Sequence, residues 1–187
     1  VSGLTKRLRY TASVSSRFEG IRPRANVDQL LRTVQQHHVQ LSALADTKAG
    51  LIITISSIVL TIALSRAGDP QLRAALLTLA VACLLALVLA IVAVLPAFAP
   101  DRTSRGAVAR NLLFFGHFGQ LTEDEFLDEM ERVLTSDAML YESALRDIYS
   151  LGTYLYRKKY RLLRFAYVAL LAGFVLATVV EIIVVTT

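Results

Sequence analysis

Tryptophan is absent from the 187 residues, cysteine occurs once and proline four times. A lone Cys83 excludes an intramolecular disulfide and a thiolate metal cluster. Scarce proline removes the commonest helix breaker, so long helices can run without interruption. The most informative absence is of charge. Ala49–Ser65, Ala74–Phe98 and Phe165–Val180 contain no Asp, Glu, Lys or Arg, and 55% of the whole chain is hydrophobic. Runs of this kind are too apolar for a soluble domain and read as membrane spans. Nor does the sequence show a P-loop, a GxGxxG fingerprint, a paired nucleophile and base, paired catalytic carboxylates or a sequence-specific nucleic-acid module. These absences argue against an enzyme and against a nucleic-acid partner.

What is present predicts an all-α integral membrane protein with three transmembrane helices, at about 49–66, 74–98 and 162–185. The first apolar core has 17 residues and measures only about 25 Å at 1.5 Å per residue. Its flanking Lys48 and Arg66 can extend their stems along lipid and keep their charges at the headgroups. The 20 Lys and Arg residues fall eight before the first span, two in the Arg66–Arg73 turn and ten between Ala99 and Arg164. The positive-inside rule therefore puts the N-terminus in the cytoplasm, the short turn outside, the 99–161 insert inside and the C-terminus outside. A pI near 9.6 then reflects attraction to anionic inner-leaflet lipid.

Residues 1–25 mix Arg, Ser, Gly and Pro without helical periodicity and read as a flexible basic tail. The tail lacks the apolar core of a secretory signal; its Arg-rich, acid-poor composition suits either a transit peptide or a cytoplasmic flank. Residues 26–187 form the membrane unit. Asn26 is placed to cap a helix whose apolar positions Val27, Leu31, Val34, His38, Leu41 and Ala45 recur by threes and fours and run into the first span. Gly68, Asp69 and Pro70 mark the outer turn. In the insert, Thr122 and Glu125 form a capping box that predicts a helix from Glu123 to about Leu134. A further helix starts at Ser136 or Asp137, passes the weak point Gly152 and flows into the third span. The cytoplasmic extensions of the first and third helices are expected to form a stalk, with the small helical insert folded against it.

Two stripes stand out within the spans. Ser42, Asp46, Gly50, Thr54, Ser57, Thr61 and Ser65 share one helix face, which fits either a packing seam or the lining of a water-filled path in an oligomer. Ala169, Gly173, Ala177 and Glu181, at intervals of four, form a small-residue seam ending in the one acid of any span. That carboxylate is either functional or close enough to the outer end to reach the headgroups. Ala75, Thr78, Ala82, Ala86, Ala90, Ala93 and Ala97 read as packing. The histidines are poorly arranged for a metal, since the adjacent His37 and His38 face different ways and His117 is remote.

At the inner surface, Asp46, Lys48, Asn111, His117, Gln120 and the basic run Arg157–Arg164 bring cations, amides and aromatics together. Such groups can hold a nucleotide, with phosphate on Lys or Arg and base on an aromatic face. From the residues alone lipid anchoring is the favoured reading, with Tyr156, Tyr160 and Tyr167 as an interfacial belt.

Three segments carry a family resemblance: Leu44-Ala-Asp-Thr-Lys-Ala-Gly50 leading into a span, Asn111-Leu-Leu-Phe-Phe-Gly-His117 before an acid-capped helix, and Tyr156-Arg-Lys-Lys-Tyr-Arg-Leu-Leu-Arg164 entering the last span. In order and spacing, over about residues 27–185, they resemble the transmembrane effectors of bacterial Pycsar antiphage systems. The matching positions are Asp46, Lys48 and Ala49 in the first motif, and Phe115, Gly116 and His117 in the second. The resemblance implies a partner pyrimidine cyclase that makes cyclic CMP or cyclic UMP on infection. It also implies an effector that answers by impairing the inner membrane.

 The residues taken as candidate contacts to a nucleotide or lipid phosphate are accordingly Asp46, Lys48, Phe115, His117, Arg157, Lys158 and Arg161. No catalytic residue and no metal ligand is assigned. Effectors of these systems that act through a TIR domain carry a separate cyclic-nucleotide-binding domain. None is recognisable in these residues, so the small cytoplasmic part is expected to supply any nucleotide site. Three helices cannot enclose a wide pore, so a homo-oligomer in membrane lipid is expected.

Overall fold

The computed structural model describes residues 24–95 and 112–186, and every described element is helical. Helix α1 is Ala25–Arg66, α2 is Arg73–Val94, α3 is the single turn Phe115–Phe118, α4 is Glu123–Leu134 and α5 is Asp137–Tyr154. A π-helical segment, Leu155–Tyr160, joins α5 to α6, Arg161–Thr186. Among the described residues, three helical runs are long and apolar enough to cross a membrane: Ala25–Arg66, Arg73–Val94 and the 50-residue run Asp137–Thr186. The chain is a multi-pass membrane protein.

Local signals account for most boundaries. Thr122 Oγ1 accepts from the Glu125 amide at 3.3 Å and Glu125 Oε2 accepts from the Thr122 amide at 3.0 Å, the reciprocal capping box that the sequence predicts at the start of α4. Asp69 Oδ1 accepts from the Gln71 amide at 3.1 Å, closing the turn between α1 and α2. One expected cap is corrected. Helix α1 starts at Ala25, with the Val27 and Asp28 amides donating to the Arg24 carbonyl, so Asn26 lies in the first turn and caps nothing. The tail up to Pro23, residues 96–98 of the second expected span and the insert as far as Asn111 lie outside the described residues.

The fold divides into two compact units. Residues 24–38 and 112–152 belong to one. There Tyr141 Oη donates to Asp28 Oδ1 at 2.7 Å and Gln35 Nε2 donates to Asp147 Oδ2 at 3.3 Å, fastening the start of α1 to α5. The Phe118 and Phe126 rings pack at 5.3 Å between centroids. Gly152 proves to be a packing position, since a Cβ there would lie 3.3 Å from the His38 ring.

Residues 39–95 and 153–186 belong to the other unit. Its core is built mostly from small residues, Ala45 and Ala49 of α1, Cys83, Ala86 and Ala90 of α2 and Ala166 of α6, joined by three large ones, Ile52, Leu163 and Leu170. The large aliphatic side chains, among them Leu51, Ile58, Val81, Leu84 and Leu171, point outward. Lipid tails are as apolar as leucine, so helices in a bilayer gain from close backbone approach more than from hiding leucine. Gly173 shows the limit of this approach, because a Cβ added there would overlap the methyl of Ala82. The Gly173 seam is therefore filled by α2 of the same chain.

Candidate functional site

The N-terminal end of the third span is built on irregular helix. Leu155, Lys159 and Leu163 are buried at intervals of four. In an α-helix of 3.6 residues per turn, two such steps overshoot by roughly 80°. The wider π turn between Leu155 and Tyr160 absorbs this excess and keeps all three on one face.

That face delivers a cation to α1. Lys159 Nζ donates to Asp46 Oδ1 at 2.7 Å, to Asp46 Oδ2 at 2.9 Å and to Ser42 Oγ at 2.9 Å. Next to it, Tyr160 Oη donates to the Leu41 carbonyl at 3.1 Å. Ser42 and Asp46 are a turn apart on α1, so a single side chain spans both. The other basic residues of the run are less enclosed: Arg157 and Arg161 are exposed and Lys158 is half-buried. Lys158 lies over the Tyr154 ring at 5.7 Å and Arg161 over the Phe165 ring at 6.0 Å, while Tyr156 is exposed. Cation and aromatic together make an interfacial surface suited to phosphate headgroups or to a nucleotide.

Of the residues chosen from sequence, Asp46 is joined to the basic run, through Lys159. Lys48 is exposed on α1. Phe115 and His117 belong to the one-turn helix α3, in the other unit; their side chains lie outside the described set, as does Asn111. The Gln120 side chain is spent on the Gly116 carbonyl at 3.0 Å. Sequence reasoning missed Lys159 as the enclosed member of its run. Four residues after Leu155 and four before Leu163, it shares their face only through the π turn, which the sequence does not announce.

Beyond Ser42 and Asp46, the polar stripe of α1 is not the packing seam within the chain. The buried face of this helix carries Ala45, Ala49, Ile52, Ser56 and Ala63, whereas Gly50, Thr54, Thr61 and Ser65 are exposed. Nothing lies within 4 Å of a Cβ placed on Gly50. Ser57 donates to the Ile53 carbonyl at 2.7 Å, Thr61 to Ser57 at 2.9 Å and Ser65 to Ile62 at 2.8 Å. Their hydroxyls are thus satisfied by their own helix, which makes them tolerable at membrane depth. Among the described residues, the Ser56 hydroxyl and Glu181 Oε2 are buried without a hydrogen-bond partner. No group of three or more metal-ligating side chains occurs among the described residues.

Outside the membrane, the phenol of Tyr141 is pushed above its ordinary value of 10.0 by donating to Asp28, with burial and the negative charges of Asp28 and Asp137 adding to the effect. The Arg24 backbone hydrogen bond acts in the opposite direction.

A family model described as the Pycsar effector protein domain matches residues 29–186. Comparison with curated proteins and with solved structures found no match.

Proposed function

The chain belongs to the Pycsar effector protein family, and from that premise we propose that this antiphage effector responds to cyclic CMP or cyclic UMP, made by a partner cyclase, by impairing the inner membrane. The observation that carries the reading is the basic run Arg157–Arg164 on a helical stretch that continues directly into the third span. A charge arriving there acts on a membrane helix without an intervening domain. In this reading Lys48, Arg157, Lys158 and Arg161 supply cations for the single negative charge of a cyclic mononucleotide, and Asp46 orders the lysine beside it. Phe115 and His117 take part in the same response. The N-terminus is cytoplasmic, which follows from the eighteen-to-two division of basic residues about the spans. Several copies act together, with the polar face of α1 turned toward neighbouring copies.

The test is dye leakage from liposomes carrying the protein, with cyclic CMP or cyclic UMP added. Leakage is expected on addition, and Lys48→Ala or His117→Ala is expected to abolish it while membrane insertion is kept. A parent-like response from both variants would remove these residues from sensing. The Lys158–Tyr154 and Arg161–Phe165 pairs favour a second reading, a constitutive scaffold or lipid-interacting protein without nucleotide sensing. It predicts no nucleotide-dependent leakage in any variant.

A further inference from the structure

The ammonium of Lys159 donates to both carboxylate oxygens of Asp46 and to Ser42 Oγ. The pair is lopsided, for the lysine side chain is 10% exposed and that of Asp46 is 48% exposed. A half-exposed carboxylate can turn into water at little cost. A lysine so enclosed cannot be left without an anion, because removing one member of a buried pair strands an uncompensated charge. Whatever displaces Asp46 must therefore bring negative charge with it.

A phosphodiester fits that requirement. It carries one charge shared over two non-bridging oxygens, which matches the charge and the two acceptor atoms of the carboxylate it replaces. The Ser42 hydroxyl, which now accepts from Lys159, has its own proton to offer a phosphate oxygen. The irregular backbone adds to the case. Lys159 reaches this position through the π segment Leu155–Tyr160, and such segments concentrate at functional sites.

We infer that Lys159 and Ser42 form a phosphodiester-binding site which Asp46 fills as an internal substitute, so that the ligand must exchange for the carboxylate. The inference rests on the nucleotide-responsive reading above and deepens it, since it assigns the phosphate to Lys159. It also makes Asp46 a competitor of the ligand. The phosphodiester belongs either to a cyclic mononucleotide or to an anionic lipid headgroup, and the two sources are separated by experiment.

Full-length protein is titrated by calorimetry with cyclic UMP in zwitterionic lipid nanodiscs and, in a second arm, with short-chain phosphatidylglycerol in detergent. Asp46→Asn removes the competing charge, while its amide oxygen and Ser42 Oγ can still accept from Lys159 until a ligand arrives. If the parent site is masked in most molecules, the variant binds about tenfold tighter or better, because apparent affinity scales with the unmasked fraction. Adding Lys159→Met to Asp46→Asn cancels this gain; as both partners are then neutral, the double variant leaves no charge stranded and retains its fold. A gain for phosphatidylglycerol but not for cyclic UMP, with the same result when cyclic CMP replaces it, upholds the site and refutes the nucleotide reading. Cyclic UMP binding that is the same in the parent and both variants upholds the nucleotide reading and overturns this site. An Asp46→Asn variant with parent affinity for both phosphodiesters, or a gain that survives Lys159→Met, shows a permanent structural ion pair and also overturns it.

Discussion

Gly173→Ala adds a single methyl group where the third span packs on Ala82 of the second. The new Cβ would overlap that of Ala82, with the Leu79 side chain 3.9 Å away. Non-bonded carbons settle at about 3.5–4.0 Å, so α2 and α6 must part by an ångström or more. Neither partner can yield by changing rotamer, because a methyl on a helix has no other position. Overpacking of this kind costs about 1–3 kcal/mol, and at 1.4 kcal/mol per factor of ten it shifts the folding equilibrium roughly 5- to 150-fold. Steric trapping in bicelles reads that shift directly. The reciprocal change Ala82→Gly removes the opposing methyl, so the double variant should recover most of the loss. A neutral Gly173→Ala, or a double variant no more stable than the single, would refute a methyl-to-methyl limit at this crossing.

Other expectations follow from the same geometry. Reporter fusions should place the N-terminus in the cytoplasm and the C-terminus outside, and a cytoplasmic signal from a C-terminal fusion would overturn the three-span topology. Cysteine at Thr61 in a Cys83→Ala background should crosslink between copies, whereas the buried native Cys83 of the parent should not; crosslinking by the parent but not by the Thr61 variant would remove the polar face of α1 as the meeting surface. For Tyr141 the folded state holds the phenolic proton more tightly than the unfolded state does. Its contribution to stability is therefore complete below the unfolded value near 10 and is lost as pH rises through the raised folded value. Denaturant titration across alkaline pH should show this loss in the parent and a smaller one in Tyr141→Phe, and identical slopes would discount the Asp28 hydrogen bond.

The sequence makes the spans and the capped helix α4 legible because their causes are local: charge-free runs, and a Thr and a Glu three residues apart. It conceals features that depend on partners distant in the chain. The α1 polar stripe and the buried face Ala45, Ala49, Ile52 and Ser56 are both rich in small residues, and only the positions of α2 and α6 decide which one is covered. Gly152 looks like a weakness until His38, more than a hundred residues earlier, occupies the space a side chain would take. Lys159 reads as one cation among several in its run. Its enclosure depends on a π turn, which has no compositional signature, and on an aspartate 113 residues away. For Asp46 the sequence supplies the residue and the structure supplies its partner.

The alanines facing inward along α2, at positions 75, 80, 86, 90 and 93, invert the usual relation between side-chain size and mutational tolerance. In a water-soluble core the costly change is truncation, which leaves a void. Here the interior has few bulky groups to truncate, and trimming an outward leucine merely exchanges one hydrocarbon neighbour for an acyl chain. The damaging class is enlargement. A survey of random substitutions would then find the specification of this bundle written in its smallest letters, with long stretches of Leu, Ile and Val interchangeable and the inward alanines and Gly173 nearly fixed.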